Sequence, residues 1–230
     1  MNLQFMNLQF TANSLYKSFS DVILLLKSRN RGFTEQPQRH TGYGLFIGSD
    51  MQENLWHSTT IVCVRNGEKV AIAGDGQVTF GDTIIKGNAV KIRKLFKDNV
   101  LAGFAGSAAD AFALLEKFEI KLEEYSGDLL RASVGLAKDW RLDKALRQLD
   151  ALIIVANKKN TFIISGNGNV IEPEDNIASI GSGGAYARAA ALAFIKSNPG
   201  MEIDKIAKAS LEIASQICIY TNSNILVETL

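Results

Sequence analysis

Two pairs of short, nearly unbroken apolar runs constrain this chain more than any other feature. TTIVCV (59–64) and KVAIAG (69–74) are β-branched runs joined through Arg65-Asn66-Gly67-Glu68. Asn-Gly is the strongest short hairpin signal, because both central turn positions need positive φ. ALIIVA (151–156) and TFIIS (161–165), separated by the polar turn 157–160, read as buried strands of a second hairpin at the centre of a sheet. Between and after the hairpins the period changes. A strand over 99–104 leads through Gly106 into a helix over 108–124, in which Ala111, Leu115, Phe118 and Leu122 recur at three- and four-residue steps. Asp128 caps a second helix running to about 143, and Gly166-Asn167-Gly168-Asn169 turns the chain tightly. IGSGG (180–184) opens an alanine-rich helix that Asn198-Pro199-Gly200 stops. A helical stripe over 203–220 follows, and ILVE (225–228) closes as a strand. Strands, two helices, strands, two helices, strand is the order of segregated layers. It predicts an α+β fold, a four-layer α-β-β-α sandwich, rather than the alternation of a doubly wound sheet.

The fold begins late. Residues 1–50 open on the tandem pentapeptide MNLQFMNLQF and show one short apolar patch without a sustained period. As far as Arg31 the stretch carries Lys17, Lys27, Arg29 and Arg31 against the single acid Asp21, with several serines, in the style of an organellar transit peptide. An upstream start with Met51 as the true initiator accounts for the same segment, and both readings stand. We therefore divide the chain into a leader or extension, 1–58, and a domain, 59–230. The 25 basic and 24 acidic residues are spread through the sequence, giving a formal charge of +1 and no footprint for nucleic acid or an anionic membrane. No apolar run approaches the length of a membrane span. Cys63 and Cys218 each sit in an apolar run, which suits buried reduced thiols in a reducing compartment better than a disulfide or a zinc site.

Three glycine-rich turns, at 74–76, 166–168 and 181–183, begin like dinucleotide-binding loops. None has the third glycine or a βαβ setting, and GxxxxGK[ST] is absent, so no bound nucleotide is expected. The leading Thr59-Thr60 suggests other chemistry. An N-terminal threonine supplies a nucleophile and a base in one residue: its hydroxyl attacks while its α-amine, with a reference pKa of about 7.7–8.0, takes the proton. A nearby lysine ammonium lowers the pKa of that amine and helps the hydroxyl ionise. Lys91 is the natural candidate, although it also reads as a solvated lysine in a basic stretch with Lys86, Arg93, Lys94 and Lys97.

TTIVCV, AGDGQVTFGDTIIKGNAVKIRKL, LAGFAGSAADAF, GNGNVIEPEDNIASIGSGG and ASQICIYTN, in that order, closely resemble the HslV (ClpQ) peptidase family, of the proteasome β type. The resemblance runs from Thr59 to the C terminus. It implies the N-terminal-nucleophile hydrolase fold, with Thr59 as nucleophile and its amine as base. It implies Asp75 and Lys91 as the charged pair beside the hydroxyl, and Ser182 as the residue bonded to the amine. Gly106 would be the backbone N–H donor to the oxyanion, with Gly103 nearby on the substrate edge. It implies a sodium ion on the main-chain oxygens of Ser215, Cys218 and Thr221, with Ser215 standing where the family has glycine. It also implies an HslU-type AAA+ ATPase hexamer as partner, a homo-oligomer of two stacked hexameric rings, and unfolded polypeptides as substrates. The expected location is the bacterial cytoplasm, or an organelle if residues 1–50 are a transit peptide. The family usually carries a much shorter leader than the 58 residues here. The expectation is a threonine-type endopeptidase. Its rivals are an N-terminal-nucleophile amidohydrolase acting on a small amide, and a non-catalytic ring scaffold that keeps its leader.

Overall fold

The structure, a computed structural model, describes residues 56–57, 59–149 and 151–230, and the expectations for residues 1–50 fall outside them. The described elements belong to the compact unit Gln52–Leu230. β2 (Thr60–Asn66) and β3 (Lys69–Asp75) form the first expected hairpin, turned at Gly67 with φ 60°. They lie at the centre of a four-stranded antiparallel sheet completed by β11 (Ile177–Gly181) beside β2 and β12 (Ile225–Thr229) beside β3. β8 (Ala151–Ala156) and β9 (Thr161–Ser165) form the second hairpin. Their five-stranded sheet runs β10 (Val170–Ile171), β9, β8, β7 (Val100–Gly106), β6 (Ile92–Leu95). A small third sheet pairs β1 (Trp56–His57) with β4 (Val78–Phe80), and β4 with β5 (Thr83–Lys86).

The unbroken apolar runs have a physical reason: the central strands are buried on both faces. Side chains alternate along a strand, so Ile61 and Cys63 of β2, Val70 and Ile72 of β3, Leu101 and Ala105 of β7 and Ile154 and Ala156 of β8 meet between the sheets. The intervening residues face outward under helices. Val62, Val64, Ala71 and Ala73 pack with Ala187, Ala191, Ile206 and Leu211 of α3 (Gly184–Ser197) and α4 (Ile203–Ile217). Ala102, Phe104, Ile153 and Val155 pack with Leu114, Phe118, Leu136 and Trp140 of α1 (Ala108–Glu124) and α2 (Leu129–Leu142). The order helix, sheet, sheet, helix is thus built from side-chain parity alone. Each fully buried Ile, Leu or Phe in these layers contributes about 1.5–3 kcal/mol over its exposed state.

The helices follow their local signals. Asp128 caps α2 by accepting from the Arg131 N–H at 3.0 Å, as the sequence suggests. Two boundaries differ from expectation. IGSGG does not open the third helix: Ile180 and Gly181 finish β11, and α3 starts at Gly184. The last helix stops at Ile217 rather than 220, because Cys218 leaves the helical region at φ −93°, ψ 116° and the chain turns so that the Thr221 N–H reaches the Cys218 carbonyl. β4, β5, β6 and β11 carried no strand reading in the sequence.

Candidate active site

Thr59 is buried, with 1% exposure, just ahead of the first strand of the central hairpin. Its φ is 107°, a strained conformation for a β-branched residue. Two contacts hold it there. The Ser182 N–H donates to the Thr59 carbonyl at 3.1 Å, and Gly181 lies so close that an added Cβ would meet the same oxygen at 1.8 Å. The first glycine of IGSGG is therefore needed for close approach as well as for its own φ of 88°. Gly183 serves similarly, since a Cβ there would lie 2.5 Å from Thr60 Oγ1.

Asp75 ends β3 and is the hub of the site. Its Oδ1 accepts from the Thr60 N–H at 2.7 Å and from Lys91 Nζ at 3.0 Å. Its Oδ2 accepts from the Gln77 N–H at 2.9 Å and the Asn222 N–H at 3.3 Å. One charged and three backbone N–H contacts thus replace the water that the carboxylate gives up on burial. Lys91 precedes β6, is 3% exposed, and also donates to the Gln77 carbonyl. It is no solvated lysine. Burial drives its pKa below the ordinary lysine value, and the Asp75 carboxylate opposes that shift without cancelling it.

Thr59 and Lys91 face one cavity of about 300 Å³, walled by Val78, Ile85, Phe104 and Phe112 and reached by Gly106. Gly106 ends β7 at φ 117°. A larger groove of about 510 Å³, lined by Asn99, Asp128, Asn157 and Lys158, holds none of these residues, so volume does not locate the chemistry. Asp75, Lys91, Gly106 and the Ser182 backbone are accordingly gathered around Thr59. Ser182 is exposed and also borders a neighbouring depression with Tyr186 and Ile219.

Thr60 has a different employment from Thr59. Its hydroxyl accepts from the Gly183 N–H at 2.9 Å and shares a hydrogen bond of 2.7 Å with the Thr221 hydroxyl. Thr60, Gln77 and Asn222 are site residues to which the sequence assigned no role. The available signal was a polar side chain inside an apolar or glycine-rich block, which names no partner.

Ser215, Cys218 and Thr221 lie along the C-terminal turn of α4 and the loop after it. The helix ends before a donor four residues on can reach the Ser215 carbonyl, the Cys218 carbonyl accepts the Thr221 N–H at 3.1 Å, and carbonyl oxygens keep a second lone pair. Main-chain carbonyl oxygens are hard donors, the chemistry that a small monovalent cation takes. Among the described residues no cluster of three or more His, Cys, Asp or Glu could hold a metal. Both cysteines are free and buried, and burial pushes the Cys63 thiol up to about 12.

The proteasome subunit family matches residues 56–230. Over 175 residues the chain is 58% identical to the ATP-dependent protease subunit HslV of Thermosipho melanesiensis, covering 76% of this chain and 99% of that one. It is 58% identical over 177 residues to the same subunit of Caldanaerobacter subterraneus, covering 76% and 100%. The chain belongs to the HslV family. The crystal structure of the eukaryotic HslV of Trypanosoma brucei superimposes with a TM-score of 0.71 at 47% identity, over 74% of this chain and 98% of that one. The α+β sandwich is therefore that of the N-terminal-nucleophile hydrolases, and the chain is a protease of the HslV family with a threonine-type mechanism. Its relatives are named as protease subunits, which favours this reading over a small-amide amidohydrolase and over a non-catalytic scaffold. No helix among the described residues is long and apolar enough to cross a membrane.

Proposed function

We propose that Thr59 is the nucleophile and that its own α-amine, once free, is the base. The observation that carries this is the buried Lys91, paired with Asp75, lining the same cavity that Thr59 borders. Thr60 is the weaker candidate, because its hydroxyl is already committed to Gly183 and Thr221. The free amine takes the hydroxyl proton as Oγ1 attacks a peptide carbonyl, and the protonated Lys91 favours the ionised oxygen. The Gly106 N–H donates to the tetrahedral oxyanion, an unobstructed donor where negative charge develops. Collapse expels the new amine and leaves an ester on Thr59, which water hydrolyses with the same base. Ser182 bonds the amine through its hydroxyl. The apolar walls of the cavity suit an apolar side chain on the acyl side of the cleaved bond.

In the intact chain the Thr59 nitrogen is an amide and cannot act as a base. We therefore expect an inert precursor that cleaves itself. Oγ1 of Thr59 attacks the Ser58 carbonyl carbon, the C–N bond breaks as the hydroxyl proton passes to the nitrogen, and water hydrolyses the resulting ester. Products are a leader ending in a carboxylate and a Thr59 with free amine and hydroxyl. The φ of 107° supports this, since the torsion is defined by the Ser58 carbonyl and its strain, on the order of 1–3 kcal/mol, ends with that bond.

The wider reading is an endopeptidase degrading unfolded polypeptides in the bacterial cytoplasm. Its assembly is a dodecamer of two stacked hexameric rings, fed by an HslU-type AAA+ ATPase hexamer. It rests on the names of the relatives and on the absence of any phosphate-binding loop in this sequence. A sodium ion would be held by the carbonyls of Ser215, Cys218 and Thr221, where it supplies a fixed charge that braces the loop leading to Asn222. Thr59→Ala tests the core of the proposal: hydrolysis of small peptides should vanish while the fold persists, and appreciable turnover would refute the nucleophile.

A further inference from the structure

We propose that Asn222 is a positioning residue for the Asp75–Lys91 pair, setting the distance between the two chain segments that carry it. The inference rests on the reading of Thr59 as nucleophile with that pair beside it. Asn222 lies in the loop between α4 and β12, far from both partners in sequence. Its N–H donates to Asp75 Oδ2 at 3.3 Å. Its side-chain Oδ1 accepts from the Gly76 N–H at 3.2 Å, and its Nδ2 donates to the Gly87 carbonyl at 2.9 Å.

Those two glycines are where the segments meet. Gly76 follows Asp75, and Gly87 begins the stretch that ends at Lys91. The Ala89 N–H reaches the Gly76 carbonyl at 2.9 Å, and a Cβ on Gly76 would meet the Gly87 oxygen at 2.5 Å. One planar carboxamide, acceptor on one side and donor on the other, bridges the contact. No apolar or purely acceptor side chain of that size can make both bonds. Oδ1 also accepts from the Asn224 N–H at 3.1 Å, which fixes the amide plane from the loop side. Asn224 gives an internal control, because its own Nδ2 donates to the Gly87 carbonyl at 2.7 Å, while among the described residues no hydrogen bond joins its side chain to Asp75 or Gly76.

The test is made on the full chain after maturation, with active sites counted by covalent titration of Thr59 with an acylating peptide inhibitor. A merely structural role lowers the number of titratable sites and leaves kcat per site alone. For Asn222→Ala we expect kcat per titrated site to fall roughly ten- to a hundredfold, with KM for a small peptide within about twofold, as a displaced catalytic group demands. Asn224→Ala should keep kcat per site within about twofold. Unchanged kcat per site in Asn222→Ala, or an equal loss in Asn224→Ala, overturns the proposal. Should Asn222→Ala yield no titratable sites, Asn222→Asp keeps the acceptor toward Gly76 and loses the donor toward Gly87. A reduced kcat per site there supports the proposal, and a wild-type value overturns it. Turnover by Thr59→Ala would instead remove the underlying nucleophile assignment, so the two failures are separable.

Discussion

Lys91 is held between two opposing effects, and its balance sets the alkaline side of the pH profile. Burial lowers its pKa, and the Asp75 carboxylate at 3.0 Å pushes the other way. The useful form is the ammonium, so activity must fall as Lys91 loses its proton, at a pH below that of an ordinary lysine. On the acid side the useful form of the Thr59 amine is neutral, so activity must rise as pH climbs through the amine's pKa. The expected kcat profile is a bell whose alkaline limb disappears in Lys91→Ala, in a variant already slowed by about a hundredfold or more. A Lys91→Ala enzyme with normal kcat and an unchanged alkaline limb would remove the lysine from the chemistry. Thr59 and Lys91 were legible in the sequence because a threonine nucleophile and a nearby cation have a chemical reason to sit together, and Asp75 was legible only through the resemblance of its GDG block to the family's. Asn222 was not, nor was the bond from the Thr221 hydroxyl, because their bonds to Asp75 and to Thr60 span 147 and 161 residues and no local pattern encodes a partner so distant.

Among the elements, legibility tracks burial on both faces. β2, β3, β8 and β9 are continuous apolar runs and could be read directly. All four residues of β5 are exposed and Ile84-Ile85 break alternation, while β6 buries only its two ends, so neither shows a period of two. The exposed Ile219 continued the apolar stripe of α4 in sequence although the helix had ended at Ile217. β11 was hidden by the glycines at and after its end, which read as a helix start and serve a closer purpose. Gly181→Ala should move the Thr59 carbonyl, since its Cβ would lie 1.8 Å from that oxygen. We expect it to lower stability by about 2 kcal/mol or more and to cut peptidase activity severely. Gly67→Ala is the comparison: φ is 60° and nothing lies within 4 Å of the added Cβ. It should lower stability by about 1–2 kcal/mol with kcat unchanged. Denaturant titration with activity assays on both variants decides, and equal behaviour would contradict the close-approach argument.

For the molecule as a whole, the sandwich places Thr59, the proposed nucleophile, just ahead of a central strand, with Asp75 arriving from β3 and Lys91 from the segment before β6. On the proposed reading, a chain with no phosphate loop takes its unfolding energy from a separate ATPase. Alone it should cleave short peptides weakly and folded proteins hardly at all, with both rates rising when an HslU-type ATPase and ATP are added. Degradation of a folded protein by this chain alone would contradict that. The leader is tied to the same logic, because an amide nitrogen at Thr59 leaves the hydroxyl without its base. The most direct measurement follows the intact mass of the full chain and of its Thr59→Ala variant, alongside peptide hydrolysis, over time. The mass of the wild-type chain should fall to that of a chain beginning at Thr59 as activity appears, while Thr59→Ala keeps its leader and stays inactive. Full activity in a preparation whose leader is intact by mass would contradict the mechanism.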